Sequence, residues 1–128
     1  MPTALDRLAD EKYVQLTTFR RDGRAVPTPI WAVAENGELY VWTPRDSGKV
    51  KRIRNNGRVE VTACDLRGSR THGATVSGTA RLLDDAETDR VRTLIGRKYG
   101  VIGFLSVTGS ILRGGKRRTV GVAITLDA

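Results

Sequence analysis

Residues 42–58 read WTPRDSGKVKRIRNNGR and contain, in this order, the end of an apolar strand, a short polar turn and a basic helix. The strand runs from Leu39 to Thr43, and the Pro, Asp, Ser and Gly residues after it favour a turn. Because Asp46 and Ser47 are both good N-cap residues, a helix is predicted over Ser47–Asn55, and Asn56-Gly57 ends it. This order places the free N–H groups of the helix at the end of the strand.

The first turn of this helix has the composition of an anion site. Ser47 supplies a hydroxyl, Gly48 allows a close approach to the backbone, and Lys49 supplies an ammonium beside the free N–H groups. A cation in the first helical turn opposes the helix dipole unless an anion is bound there. We interpret Ser47-Gly48-Lys49 as a phosphate-binding segment for a cofactor. The alternative is an ordinary helix cap followed by a solvated basic face.

Strand patterns surround this segment on both sides. Alternating apolar residues and turn signals predict six strands, Tyr13–Phe19, Ala25–Ala34, Glu38–Thr43, Arg58–Asp65, Ala74–Leu83 and Thr119–Leu126. Asp22-Gly23 and Asn36-Gly37 are hairpin signals, so the first three strands form a meander. Pro27 and Pro29 cannot donate to a ladder, which predicts an open edge on the second strand.

Two further segments have helical character. A helix is predicted over Ala86–Tyr99, and residues 100–118 are glycine-rich and ambiguous, with a short helix over Phe104–Leu112 as one interpretation. Six mostly antiparallel strands with two or three helices indicate a mainly β (α+β) fold. A small six-stranded antiparallel barrel fits this pattern better than a sandwich, since a barrel closes its edges and leaves a groove for a ligand.

Composition limits the class of protein. The 128 residues form one predicted domain, 1–128, with a net charge of +8 that favours anionic partners. Cys64 and His72 are the single cysteine and histidine, so no disulfide and no zinc site of these residues is predicted, and we expect no metal. No apolar stretch has the length of a signal peptide or a membrane span, so we expect a cytoplasmic protein with no membrane partner.

Seven short motifs are spaced along nearly the whole chain: Leu16–Phe19, Pro27–Trp31, Tyr40–Thr43, Lys49–Asn56, Gly78–Ala80, Arg97–Gly100 and Val120–Ile124. In their order and spacing they resemble the pyridoxamine 5′-phosphate oxidase-like split-barrel superfamily. Within it, the chain is most similar to small proteins described as F420-dependent oxidoreductases. The resemblance implies a six-stranded split β-barrel that forms a homodimer with cofactor sites between the subunits.

The resemblance also implies a set of cofactor-binding residues: Thr28, Pro29, Ile30, Trp31, Trp42, Thr43, Ser47, Gly48, Lys49, Lys51 and Arg54. In this interpretation the strand Thr28–Trp31 places the ring system of the cofactor. Thr43, Ser47 and Lys49 hold its phosphate, and Lys51 or Arg54 reaches neighbouring anionic groups.

The function implied is that of an oxidoreductase in which the reduced deazaflavin F420 delivers hydride to an electron-poor small-molecule acceptor. The excess of positive charge suits the oligoglutamate tail of F420. Three alternatives remain: a flavin mononucleotide (FMN) oxidase or reductase, a non-catalytic protein that binds F420 or a tetrapyrrole, and a nucleic-acid module. Residues 45–58 have no aromatic side chains among their cations, so nucleic-acid binding is not expected.

Two features differ from true pyridoxamine 5′-phosphate oxidases. Those continue after the last strand into an arginine-bearing segment that grips the substrate, whereas the last residues here are Asp127-Ala128. His72-Gly73 stands where the oxidases have a flavin-contacting glutamine. We therefore do not expect oxidation of vitamin B6. No catalytic residue is assigned, and the proton would come from solvent or from a tyrosine, for which Tyr13 and Tyr99 are candidates.

Overall fold

The computed structural model describes residues 3–65, 71–115 and 118–127, except for the side chains of His72, Phe104 and Ser110. Its elements are α1 Ala4–Ala9, β1 Tyr13–Phe19, β2 Ala25–Ile30, β3 Ala32–Glu35, β4 Glu38–Pro44, α2 Gly48–Asn55, β5 Arg58–Cys64, β6 Thr71–Leu82, α3 Asp85–Gly114 and β7 Thr119–Leu126. The mainly β fold predicted from the sequence is confirmed.

The strands form one antiparallel sheet in the order β2-β1-β5-β6-β7-β4-β3. Only Trp31 separates β2 from β3, which are the two edges of this sheet. The sheet therefore curls until its first and last strands meet end to end at Trp31. Since β2 pairs with β1 and β3 pairs with β4, the barrel is split at this point rather than closed by a further ladder.

The predicted count of six strands was wrong, because the predicted strand Ala25–Ala34 is two strands. The two prolines lie on β2, whose outer edge is unpaired as predicted. At the break, the N–H of Ala32 donates to the hydroxyl of Tyr99, 3.0 Å away, instead of continuing the β2 ladder. A side chain from α3 thus replaces a strand partner, and no local pattern in the sequence predicts a contact between residues so far apart along the chain.

The core consists of two clusters on opposite faces of the sheet. The first lies inside the barrel, contains Val14, Leu39 and Ile124, and is capped by Leu8 of α1 and Ile53 of α2. The second lies on the outer face against α3 and is built around Val91 and Ile95, together with Val33, Leu83 and Ala123. Strands β3, β4 and β7 therefore divide their residues between the barrel interior and the contact with α3.

Gly78 shows how tightly the strands approach one another. A Cβ at this position of β6 would lie 2.7 Å from the carbonyl oxygen of Thr125 and 3.3 Å from the Cα of Leu126. Both are backbone atoms of β7, so they cannot move aside as a side chain would. A side chain at position 78 would therefore clash with the backbone of β7.

Helix α3 is longer than the predicted Ala86–Tyr99 and contains a kink. Asp84 caps it by accepting a hydrogen bond from the N–H of Glu87 at 2.8 Å. Gly100, with φ 63° and ψ −138°, breaks the helix, which then resumes and runs to Gly114. Most of the segment left ambiguous by the sequence is thus a second helical piece.

Candidate functional site

The turn between β4 and α2 has the conformation expected of the predicted phosphate-binding segment. The N–H of Ser47 donates to the carbonyl of Pro44 at 3.2 Å, which closes the turn. Ser47 is the N-cap, and its Oγ accepts from the N–H of Val50 at 3.4 Å. The N–H groups of Gly48 and Lys49 belong to the first turn of α2, where no intrahelical acceptor exists. The segment therefore presents backbone donors at the end of β4.

Lys49 is half-buried in this turn, and no acid of the described part of the chain pairs with it. Burial lowers the pKa of its ammonium, and the positive charge of Arg52 lowers that pKa further. A cation that loses hydration next to another cation is electrostatically unfavourable until an anion binds. A half-buried lysine beside a second cation is the arrangement expected where an anion binds.

Thr43 adds a buried hydroxyl at the end of β4. Its side chain is 3% exposed, and its Oγ1 has no hydrogen-bond partner among the described residues. Buried polar atoms are nearly always bonded, so an orphaned hydroxyl beside a helix N-terminus is a candidate ligand contact. The turn between β4 and α2 joins Thr43 to Ser47, which supports the predicted grouping of these residues.

Gly48 does not leave its face open to an incoming group. A Cβ at Gly48 would lie 2.7 Å from a guanidinium nitrogen of Arg52, because this side chain folds back over the first turn of α2. The Nε of Arg52 donates to Oγ1 of the buried Thr18 at 2.6 Å, which fixes the guanidinium in place. Arg52, which was not among the predicted site residues, is therefore a second cation held at this helix end, beside Lys49.

Lys51 and Arg54 lie on the exposed side of α2, in a groove of about 420 Å³. We call it the cationic groove; it is lined by Arg20, Arg21, Lys51, Arg52, Arg54 and Asn55. Burial lowers the pKa of Arg52, and the charge of Arg20 lowers it further. Five cations and no acid make the groove a surface for anionic groups.

The predicted ring-binding strand is the outer strand β2. The hydroxyl of Thr28 donates to the carbonyl of Leu16 at 3.5 Å, Pro29 is exposed, and Ile30 packs against the barrel core. Trp31 lies at the split of the barrel and stacks on Tyr99, with ring centroids 4.3 Å apart and an interplanar angle of 8°. The two rings border a cavity of about 330 Å³.

Tyr99 and Lys98 hold the split together. The Tyr99 hydroxyl accepts from the N–H of Ala32 and lies 2.8 Å from the carbonyl of Lys12 and 3.1 Å from that of Ala32. The ammonium of Lys98 donates to the carbonyls of Glu11, at 2.8 Å, and of Ala32. Burial raises the pKa of Tyr99 to about 12. Such a phenol, already bonded to the backbone, has a structural role rather than that of a proton donor.

Replacing Tyr99 with phenylalanine is expected to lower the free energy of unfolding by about 1–3 kcal/mol, because a backbone N–H and carbonyls lose their partner. Tyr40→Phe, which removes only a 3.4 Å bond to Glu38, is the matched control and should cost less.

The raised pKa of Tyr99 makes its contribution to stability depend on pH. Tyr99 stabilises the fold fully below pH 10.0, and this contribution is lost as the pH rises to about 12. Denaturation curves at several pH values should show a smaller alkaline loss for Tyr99→Phe than for the wild-type protein; an equal loss would contradict this assignment.

Trp42 and Thr43 point to opposite faces of β4. Leu39 and Val41 belong to the barrel core and Thr43 shares their face, whereas Tyr40 and Trp42 pack against the α3 cluster. Two adjacent predicted residues therefore face different environments.

Trp42 borders a second cavity of about 420 Å³, lined also by Thr43, Pro44, Leu105, Ser106, Gly109, Arg113, Arg118 and Thr119. Its indole N–H donates a hydrogen bond of 2.9 Å to Oγ1 of Thr119. The same Oγ1 accepts a second hydrogen bond, of 3.0 Å, from Nη2 of the buried Arg92. Arg113 and Arg118 give this cavity positive charge. Sequence reasoning missed Arg92 and Thr119, since both are recruited by long-range packing.

Two structural classes find no support in the described part of the chain. It contains no group of three or more His, Cys, Asp or Glu side chains that could hold a metal ion. Among the helices of that part, none is both long and apolar enough to cross a bilayer. The side chain of His72 and residues 66–70, 116 and 117 lie outside the described residues, so the expectation drawn from His72 stays a prediction.

Residues 1–122 match the family described as pyridoxamine 5′-phosphate oxidase. The chain belongs to this family. The family resemblance inferred from the sequence motifs is thereby confirmed, and the match includes the whole β4–α2 segment. No curated protein sequence matches the chain.

Solved structures of the same fold accompany this family assignment. A conserved hypothetical protein from Mycobacterium tuberculosis has 20% identity and a TM-score of 0.74, covering 97% of this chain and 78% of that one. A protein described as an F420 reductase has 18% identity and a TM-score of 0.64, covering 100% and 97%. The heme storage protein HutZ from Vibrio cholerae has 13% identity and a TM-score of 0.73, covering 93% and 84%. At these identities, the likeness shows the shared fold.

Proposed function

We propose that this member of the pyridoxamine 5′-phosphate oxidase family is an oxidoreductase that binds the deazaflavin F420. Its reduced cofactor would transfer hydride to an electron-poor small-molecule acceptor. The observation that carries the proposal is the Lys49 ammonium, which is half-buried beside Arg52 and has no ion-pairing acid among the residues that the structure describes. A site built this way favours an anionic ligand, and a cofactor phosphate is such a ligand.

The residues at the β4–α2 turn fit a phosphate. Lys49 supplies charge, the first N–H groups of α2 supply directed donors, and the orphaned Oγ1 of Thr43 supplies a hydroxyl. Ser47 would act mainly by capping the helix, because its Oγ already accepts from Val50. These groups would orient the cofactor, and F420 supplies the hydride chemistry when it is bound.

The cationic groove favours F420 over FMN. FMN ends at its phosphate, whereas F420 continues into a tail of carboxylates. Lys51 and Arg54 are on the same short helix as Lys49, and the groove they line holds five cations without an acid. A chain of carboxylates leaving the phosphate site would meet complementary charge there.

A homodimer would complete the ring-binding side of the site. In one subunit, Thr43 borders the Trp42 cavity, while Trp31 borders the separate cavity at the split. We propose that a second copy of the chain packs against this side and joins these surfaces into one cleft. The strand Thr28–Trp31 would then place the ring system and exclude water from it.

The experiment that tests the proposal is a fluorescence titration of the purified apoprotein with F420 and, in parallel, with FMN. We expect F420 to bind with a dissociation constant in the micromolar range or below, and more tightly than FMN. Tighter binding of FMN would replace F420 with a flavin as the cofactor of the same fold. Absence of binding by both would overturn the proposed function.

Binding without turnover is the second candidate, because a heme storage protein shares the fold. Stopped-flow oxidation of reduced F420 distinguishes the two functions. An enzyme should accelerate this oxidation in the presence of an unsaturated acceptor. A carrier should quench cofactor fluorescence but leave the rate of oxidation unchanged with every acceptor.

A further inference from the structure

The Trp42 cavity combines apolar and cationic lining. Its apolar side chains include Trp42, Pro44 and Leu105, and its charged side chains are Arg113 and Arg118. A volume of about 420 Å³ is sufficient for a small ligand, and the residues that line it include no acid. This composition is that of a site for a ligand that is apolar along one part and anionic at another.

The two arginines are available for a ligand. Arg113 and Arg118 are exposed, and neither forms an ion pair with an acid of the described ranges. Asp85 and Asp89, whose arginine partners both contact Thr119, are already paired at 3.6 Å and 2.6 Å. The positive charge at the cavity is therefore left for an anion from outside the chain.

Thr119 adds a buried hydroxyl that can only donate. This residue is 5% exposed, and its Oγ1 accepts from the indole N–H of Trp42 and from Nη2 of Arg92. A hydroxyl has two lone pairs and one proton, so both of its acceptor sites are used. Among the described residues no group accepts the remaining O–H. Because Thr119 lines the cavity, an oxygen atom of a bound ligand fits this donor.

Gly109 keeps space open in the cavity on the side of α3. A Cβ at this position would meet no atom within 4 Å, although glycine is unfavourable inside a helix. No close neighbour therefore requires glycine here. A larger side chain at position 109 would take up space in the cavity that Gly109 lines.

We propose that the Trp42 cavity binds the acceptor, and that the acceptor is a planar unsaturated carboxylate. Its conjugated part packs on the indole of Trp42, and its carboxylate accepts hydrogen bonds from Arg113 or Arg118 and from the hydroxyl of Thr119. This inference rests on the proposed function, because an acceptor must lie beside the cofactor. Thr43, which we assign to the cofactor phosphate, lines the same cavity.

Calorimetric titration with trans-cinnamate and with its neutral amide, cinnamamide, tests the inference. The two probes share a planar unsaturated frame and differ in charge. We expect the full-length protein to bind cinnamate about tenfold more tightly than cinnamamide or better, because charge-assisted hydrogen bonds are stronger than neutral ones. The preference should shrink in about 1 M salt, where the screening length falls to about 3 Å. Equal affinity for both probes, or no binding of cinnamate, would overturn the inference.

Charge variants locate the bound carboxylate. Arg113→Gln combined with Arg118→Gln should weaken cinnamate binding about tenfold and leave cinnamamide binding within about twofold of the wild-type value. Arg7→Gln combined with Arg24→Gln removes the same charge from residues outside the cavity. This control should change the affinity for cinnamate by less than about twofold. Equal effects of the two double variants would mean that only the net charge of the protein attracts the probe, and the inference would be wrong.

A variant that fills the cavity leaves every hydrogen bond of Thr119 in place. Gly109→Leu should weaken cinnamate binding about tenfold or more, because the leucine side chain occupies the space of the probe. Gly96→Leu is the matched control, since a Cβ at Gly96 also meets no atom within 4 Å and Gly96 does not line this cavity. It should change binding by less than about twofold. Unchanged binding by Gly109→Leu would contradict the inference.

Titration of cinnamate into protein saturated with F420 separates this inference from the proposed function. We expect the affinity for cinnamate to be retained, because the acceptor and the cofactor occupy neighbouring places. Displacement of cinnamate by F420 would mean that the cavity holds part of the cofactor, so the inference would fail while the proposed function stands. If F420 does not bind but cinnamate shows the expected preference, the proposed function fails and the carboxylate site remains.

Discussion

Replacing Lys49 with alanine is expected to weaken F420 binding at least about tenfold, a change of about 1.4 kcal/mol in binding free energy. Hydrogen bonds to charged groups contribute about 1.5–3 kcal/mol, so the loss lies between about tenfold and about 150-fold. Lys49 is half-buried and its pKa is lowered by burial and by Arg52, so it has most to gain from an anion. A fluorescence titration of the wild-type protein and the variant measures the effect.

Two variants serve as controls for Lys49→Ala. Lys49→Arg keeps a cation at the first turn of α2 and should retain more affinity than the alanine variant. Arg7→Ala removes an exposed cation from α1 and should leave binding unchanged. Unchanged binding by Lys49→Ala, with intact folding, would remove the phosphate site from the β4–α2 turn. It would leave the chain in its family without a located cofactor site.

The second large effect is on stability. Leu39 is fully buried in the barrel, where it pairs with Ile124 of β7. Truncating it to alanine removes buried apolar atoms and leaves a cavity that the rigid sheet cannot fill, so we expect a loss of about 2–5 kcal/mol in the free energy of unfolding. Urea denaturation followed by tryptophan fluorescence measures this loss.

Leu112→Ala is the matched control for Leu39→Ala. It makes the same chemical change at a side chain that is 81% exposed, so we expect a change within about 0.5 kcal/mol. A similar loss of stability in both variants would mean that Leu112 packs against the molecule rather than lying exposed.

Local sequence patterns predicted the secondary structure around the candidate site. The Ser47 cap, the bounds of α2 to within one residue and the hairpin at Asn36-Gly37 follow from short-range rules on capping, turn residues and alternation. These rules work because each involves contacts within a few residues along the chain. Arg52, Arg92 and Thr119 were missed for the opposite reason, since their partners lie 34, 27 and 77 residues away.

The sequence by itself determined which residues of the candidate phosphate site are positively charged, and it predicted the order of most strands along the chain. Its alternating strands and its strand–turn–helix at 42–58 predicted the mainly β fold, and the family match over residues 1–122 agrees with the resemblance of its motifs. Tertiary structure alone decided where the barrel splits, because the break at Trp31 depends on a hydrogen bond from Ala32 to Tyr99, 67 residues away. It also decided that Trp42 packs against the α3 cluster while Thr43 lies on the barrel face of β4. Burial is a property of packing, which a local pattern cannot specify.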